Sequence, residues 1–332
     1  DHSMYPLDLL TVISQSSLGT MGLLLNILFI YLVIFKSSKQ LHAYSVLLLD
    51  MCINDIVTSL CVLYTIGRQI PMGESGGLGV SLGPCRLVSS WSCSIAFLLW
   101  MHCYANCLVV LILCFLFRLY VLKWNTPTRR QTAIVCLLSY LPTFVYAVVL
   151  TWSVLTHNGY EEQRDELVKS IVAKTRPELL EPYVDLQGRS GKKSFTGILS
   201  TFYCFALGPV TMVVCLVVRW KIQKILRRFE SMSNATKRMN VQLLRALTIQ
   251  NVVEFFMLIL LVLFFLSFDK MFPTAPFIEH GVFILATVIP VSNPIINMLC
   301  ITHYKREVKK LIFNHMEINV SEIDKKASTT TF

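Results

Sequence analysis

Five stretches of this chain run for more than 20 residues without an Asp, Glu, Lys or Arg: Leu9 to Phe35, Leu87 to Phe117, Gln131 to Tyr160, Ser194 to Val218 and Gly281 to Thr302. A hydrocarbon layer about 30 Å thick takes about 20 residues of helix at 1.5 Å rise each, so every one of these stretches can cross a bilayer. Two further apolar segments carry isolated charges: 43–66 holds Asp50 and Asp55, and 246–268 holds Glu254. Seven spans follow, about 17–35, 43–66, 91–117, 131–152, 196–218, 246–268 and 277–301. Only 15% of the 332 residues are charged, against about a quarter in a soluble domain, which argues against a soluble enzyme. The expected fold is an all-α seven-transmembrane-helix bundle. Residues 1–16 form its extracellular N-terminus, 17–302 the membrane domain, and 303–332 a cytoplasmic helix and tail.

The first stretch is too long for the apolar core of a signal peptide. It also has no basic stretch before it and no small-residue cleavage site after it. The chain begins at Asp1 rather than Met, and a short preceding piece is expected.

Charge orients the bundle. The loops 36–42, 118–130 and 219–245 and the tail 303–332 fall on one side and hold 20 of the 30 Lys and Arg residues against five acids. The other side holds ten basic and twelve acidic residues, most of them in the long 153–194 segment, and long segments count least in the positive-inside rule. The N-terminus is expected outside and the tail inside. Within 153–194, the acidic run from Glu161 to Glu166 leads into a Val/Leu/Ile stretch that predicts a short amphipathic helix. After the seventh span, Ile301, Tyr304, Val308, Leu311 and Ile312 recur at helical spacing opposite Lys305, Arg306, Lys309 and Lys310. That pattern predicts a short amphipathic helix lying on the inner leaflet.

Most of the eleven cysteines fall inside spans and read as small buried hydrophobes. Cys85, Cys93 and Cys204 lie near the outer face, where oxidation is permitted. Paired CxxC spacing is absent from the sequence, so neither a zinc site nor any other cofactor is expected.

Polar groups at bilayer depth are costly and face partners or a wet cavity. Asn26, Asp55 and Asn293 stand mid-span in the first, second and seventh helices and are expected to share a hydrogen-bonded network. Pro290 and Pro294 remove backbone donors from the seventh helix, and Pro209 removes one from the fifth, so these helices are locally open and can act as hinges. Arg118 is the first charge after 31 uncharged residues. It either snorkels to the headgroups or points into a cytoplasmic cleft. His102 and Asn106, one turn apart on the third helix, and Glu279 with His280 at the outer start of the seventh, are candidate ligand anchors. Glu254 is expected deeper, in the inner half, beside a basic or amide group.

Asn26, Asp55, the Arg118–Tyr120 segment FRLY, Pro209, and NPIIN with Asn293, Pro294 and Asn297, followed by HYKREVKKLIF, together resemble a seven-helix G-protein-coupled receptor. More narrowly, HAYSVLLLDMCINDI, the GPC at 83–85, LWMHCYAN and FRLYVLKWNTP resemble the nematode serpentine chemoreceptors of the class delta family. The resemblance covers nearly the whole chain. It departs from the rhodopsin-like pattern where Phe117 replaces the acid before the arginine, where the tryptophan–proline pair of the sixth helix is missing, and where Asn297 replaces a tyrosine. With no cysteine between Cys136 and Cys204, the usual staple to the second outer loop cannot form. Cys93 has the spacing of that staple's first cysteine, which leaves Cys85, Cys204 or no partner.

The resemblance implies a plasma-membrane, multi-pass chemosensory receptor, expected in a sensory neuron cilium. It would bind an odorant-like small molecule from outside among helices three, five, six and seven, and activate a heterotrimeric G protein. Arg118, Tyr120, Lys221, Lys224, Arg227 and Arg228 would offer the coupling face, which also meets anionic lipid; no nucleic acid is implied. An opsin is excluded because the seventh span has no lysine for a Schiff base. Lone His102 gives no convergent catalytic set, so no enzyme is expected. The competing reading is a seven-helix transporter or ligand-gated channel, yet inverted repeats and paired broken helices are not evident.

Overall fold

A computed structural model describes residues 6–38, 41–71, 77–124, 126–157, 170, 173, 195–228, 234–266 and 276–312, with backbone alone for 71, 77–78, 90, 149–157, 195–206, 228, 265 and 276–277. Seven long helices form: α1 (Pro6–Phe35), α2 (Tyr44–Thr65), α3 (Ser90–Lys123), α4 (Arg129–His157), α5 (Phe195–Arg228), α6 (Asn234–Leu266) and α7 (Pro276–Cys300). A short helix, α8, follows over 302–312. Six of the seven are long and apolar enough to cross a membrane on their described residues. The remaining one, α5, has 34 residues and contains the uncharged run 194–218. The all-α seven-span architecture thus stands.

Helix α1 starts at Pro6, well before the span expected from residue 17, and buries Asp8, Thr11 and Gln15 along one face. The helix 153–194 predicts, like the tail beyond 312, lies outside the described residues. One feature departs from an all-helical reading: the connection between α2 and α3 holds an antiparallel hairpin, β1 (Gly67–Pro71) and β2 (Gly77–Ser81), in register Gly67↔Ser81 to Pro71↔Gly77. Its strands are only five residues long. No alternation strong enough to announce a strand could develop in so short a stretch.

The loop around the hairpin is built tightly. Ile66 caps α2 at φ 39°, a left-handed conformation costly for a β-branched residue. Gly83 opens the GPC motif because a Cβ there would stand 2.5 Å from the carbonyl oxygen of Tyr64. Pro84 then starts a 3-10 turn, Pro84–Leu87, a position where its missing N–H is harmless. Cys85 is bonded to Cys93 at the start of α3. The side chain of Cys204 lies outside the described residues.

Helix α3 packs against α2, α4, α5 and α6, while α1 packs on α2 and α7. Gly22 makes the α1 seam possible, since a Cβ there would meet Ser59 Oγ at 2.8 Å and Pro290 Cβ at 3.6 Å. The apolar interior falls in two parts. The inner part gathers Phe29, Leu47, Leu48, Phe115, Leu247 and Tyr304. The outer part gathers Trp100, Met257, Ile278 and Phe283. Large apolar side chains such as Leu24, Leu137, Phe144, Val213 and Phe256 are exposed on the outside of the bundle, which is the expected arrangement where the solvent is lipid.

Candidate functional site

The polar residues of the spans meet at mid-depth. Asn293 Nδ2 on α7 donates to both carboxylate oxygens of Asp55 on α2, at 3.3 and 3.1 Å. The Asn293 side-chain oxygen accepts from Gln250 Nε2 on α6 at 3.2 Å. The same Asn293 amide lies 4.0 Å from Cys107 Sγ on α3, and the Cys107 thiol donates to Glu254 Oε1 on α6 at 3.8 Å. A continuous chain therefore runs from α2 through α7 and α3 to α6, all of it buried. Asn297 continues α7 inward, donating to the Asn293 carbonyl at 3.0 Å.

Asn26 does not reach Asp55. Its amide donates to its own helix at Gly22 O, 2.9 Å, and across the seam to Pro290 O, 2.8 Å. Pro294 has no N–H, so the carbonyl one turn earlier, that of Pro290, is the acceptor this proline leaves open. Glu254 sits beside Cys107, the residue next to Asn106, rather than with a basic or amide partner in the inner half. Among the described residues Gln250 and Cys107 join this cluster without a sequence warning, because an amide or a thiol in an apolar helix carries no periodic signal.

At the opposite end of the bundle from the hairpin, Arg118 takes neither of the expected positions cleanly. It is 3% exposed, with its guanidinium carbon 3.8 Å from the ring centre of Tyr44 at the start of α2. A planar guanidinium stacks well on an aromatic face. Tyr120 is exposed and rests against Trp124. The expected inner loops come together here. Arg129 Nε donates to His42 O at 3.0 Å, Gln242 on α6 bonds Thr302 through side chain and backbone, and His303 contacts the Lys36 carbonyl. Tyr304 anchors α8: its ring packs edge-on to Phe29 and its hydroxyl bonds Ser37 at 2.7 Å. Burial holds the Tyr304 hydroxyl pKa up at about 12, so it stays protonated at any physiological pH. On α8 the hydrogen bond from Lys310 holds the Glu307 carboxyl below its usual range. On α5, Lys221, Lys224 and Arg227 are exposed, while the side chain of Arg228 lies outside the described residues. Pro209 sits within α5 on an exposed face.

The end of the bundle that carries the hairpin holds an ionic cluster that the sequence did not announce. Arg68, on β1, donates to Asp8 of α1 at 3.0 Å and to Glu279 of α7 at 2.6 Å. His280 Nδ1 bonds Thr11 at 2.6 Å and stands 4.0 Å from Asp8. Gln15 closes the cluster by pairing both its amide atoms with the backbone of Gly67. Glu279 is thus a buried partner of Arg68 on the hairpin and His280 a buried partner of Thr11 and Asp8 on α1, and neither faces water. The available signal was positional only: Asp8 and Glu279 fall at the outer ends of two helices, on either side of the one arginine in the hairpin. The ring of His102 lies 6.1 Å from that of Tyr140 on α4. The Tyr140 hydroxyl donates to Asp50 at 2.8 Å. Asn106 is fully buried, and neither of its amide atoms has a partner among the described residues.

Comparison with known proteins supports the seven-helix architecture. Serpentine receptor class delta-19 of Caenorhabditis elegans is 28% identical over 306 residues, 89% of this chain and 86% of the relative. Class delta-18 is 27% identical, covering 91% and 88%, and class delta-1 is 25% identical, covering 92% and 83%, both from the same nematode. Residues 12–310 match the family profile described as serpentine type 7TM GPCR chemoreceptor Srd. That match runs from within α1 to within α8, and the chain belongs to the Srd family of serpentine seven-transmembrane chemoreceptors.

Proposed function

We propose that this protein is a plasma-membrane receptor that binds a small odorant-like molecule from outside and activates a heterotrimeric G protein at its inner face. The observation that carries the reading is the buried chain Asp55–Asn293–Cys107–Glu254, which joins α2, α7, α3 and α6. Those helices end inward at Arg118 and the basic rim. An α7 opened by Pro290 and Pro294 can take two packings at low cost, and a ligand that binds one better than the other shifts the population. The N-terminus lies outside in this reading, because the loops grouped with Arg118 hold most of the basic residues. A sensory cilium is the membrane we assign. Arg118, Lys221, Lys224, Arg227 and Arg228 form the coupling face, with anionic lipid competing for the same charge. Asn106 serves the ligand; Glu279 and His280 serve it indirectly, by fixing the hairpin at the mouth.

The decisive experiment is nucleotide exchange on purified G protein, with the receptor in liposomes loaded for ion-flux measurement. Agonist-dependent exchange without flux supports the receptor reading. Flux without exchange would replace it with a transporter or channel. Replacing Lys221, Lys224, Arg227 and Arg228 by Gln is expected to cut exchange while surface expression persists.

A further inference from the structure

The middle of the α3–α5–α6 interface carries more hydrogen-bonding capacity than the protein itself uses. Glu254 is 6% exposed; its Oε1 accepts only the weak thiol donor of Cys107, and its Oε2 has no partner among the described residues. No basic side chain among the described residues pairs with it. Asn251, one turn earlier on α6, leaves its side-chain oxygen open, and Gln250 does the same. On α3, Asn106 leaves both amide atoms open, next to the Cys107 that touches Glu254. On α5, which packs on both α3 and α6, the buried Thr211 leaves its hydroxyl open among the described residues. Asp55, the other deep carboxylate of this region, is different: both its oxygens accept from Asn293.

Each buried polar atom without a partner costs about 1–3 kcal/mol and a buried lone carboxylate more, so a guest that pairs with several of these atoms is bound favourably. The open atoms say what kind. Acceptors dominate, with one carboxylate at their centre, so the complementary guest donates several hydrogen bonds and carries positive charge. A primary ammonium has three donors and a compact charge, which fits. On the outer side, Trp100 is about two turns above Asn106 and stacks with Phe283, ring centres 5.0 Å apart, and with Tyr104 at 6.3 Å. An aromatic stack is a favourable passage and wall for an organic cation.

We propose that Glu254, Asn251, Asn106 and Thr211 form the recognition site for a small primary amine, with Glu254 as its counter-ion. This deepens the receptor reading above and rests on it, since the site takes the ligand class that such a receptor would report. The amine nitrogen would lie at mid-bundle, in direct line with the Cys107–Asn293–Asp55 chain.

The test uses the detergent-purified full-length receptor alone, so that a failure of amine binding is separable from a failure of G-protein coupling. The probes are butylamine, hexylamine and benzylamine against butanol, hexanol and benzyl alcohol, with sodium chloride as a further arm, read as the shift in thermal unfolding midpoint. The amines are expected to raise the midpoint and the alcohols of the same skeleton not to. Glu254→Gln, close to isosteric, should weaken amine binding by about tenfold to a hundredfold, the worth of one charge-assisted hydrogen bond. Asn251→Ala should weaken it less. Equal shifts with amines and alcohols would show a neutral polar site, shifts with sodium alone an inorganic cation site, and no shift with any amine an empty or water-filled one; each result overturns the proposal. A Glu254→Gln receptor that unfolds on purification leaves Asn106→Ala and Thr211→Val to decide, and an undiminished amine shift in both would overturn it as well.

Discussion

The side-chain amide of Asn26 on α1 donates a 2.8 Å hydrogen bond to the backbone carbonyl of Pro290 on α7, the acceptor that Pro294 strands by lacking an N–H. A carbonyl freed by proline inside a membrane needs another donor, from a neighbouring helix or an ordered water. Here a neighbouring helix supplies it. The closeness of α1 depends on Gly22.

This relationship predicts a double-mutant cycle. Asn26→Leu should destabilise the receptor by about 1–2 kcal/mol, within the range found for side-chain hydrogen bonds between membrane helices. In a Pro294→Ala background, where the backbone can bond Pro290 itself, the same substitution should cost less than about half as much. Thermal unfolding of the four proteins measures the coupling, and strict additivity would show that Asn26 acts elsewhere.

Arg68 stands between two buried carboxylates. Removing it takes away the cation that bridges Asp8 and Glu279, a loss of about 3–5 kcal/mol for a broken buried pair. Arg68→Met is therefore expected to reduce surface expression strongly, more than Asp8→Asn does, and Arg68→Met with Asp8→Asn and Glu279→Gln should recover much of it. Flow cytometry of a tagged receptor reads the order.

Tyr44 holds Arg118 by its ring face. Tyr44→Phe keeps that face and should leave basal nucleotide exchange near wild type, while Tyr44→Ala frees the guanidinium and should raise it. Equal basal exchange in the two variants would separate Arg118 packing from coupling.

Orientation has its own check. The sequons at Asn234 and Asn319 lie in segments assigned to the inside, so endoglycosidase treatment of the expressed protein should leave its mobility unchanged. A glycan at either asparagine would reverse the topology.

Seven spans and the inner helix were legible because the bilayer imposes a length and a composition that few other environments tolerate. Uncharged runs and the spacing of Tyr304, Val308 and Leu311 state them directly. The polar landmarks were legible as costly residues, and the cost implied partners without naming them. Asn26 found a carbonyl instead of Asp55, Glu254 met a thiol instead of a base, and Glu279 and His280 turned inward to Arg68 and Thr11. Those choices depend on how far each helix slides and turns against its neighbours, a quantity fixed by packing at Gly22, by the Cys85–Cys93 bond and by the left-handed exit at Ile66. A one-dimensional pattern records which side chains need a partner. Which partner lies within 3 Å is decided only when residues 60 or 264 positions apart, such as Asp8 and Arg68 or Asn26 and Pro290, are brought to the same depth by helix packing.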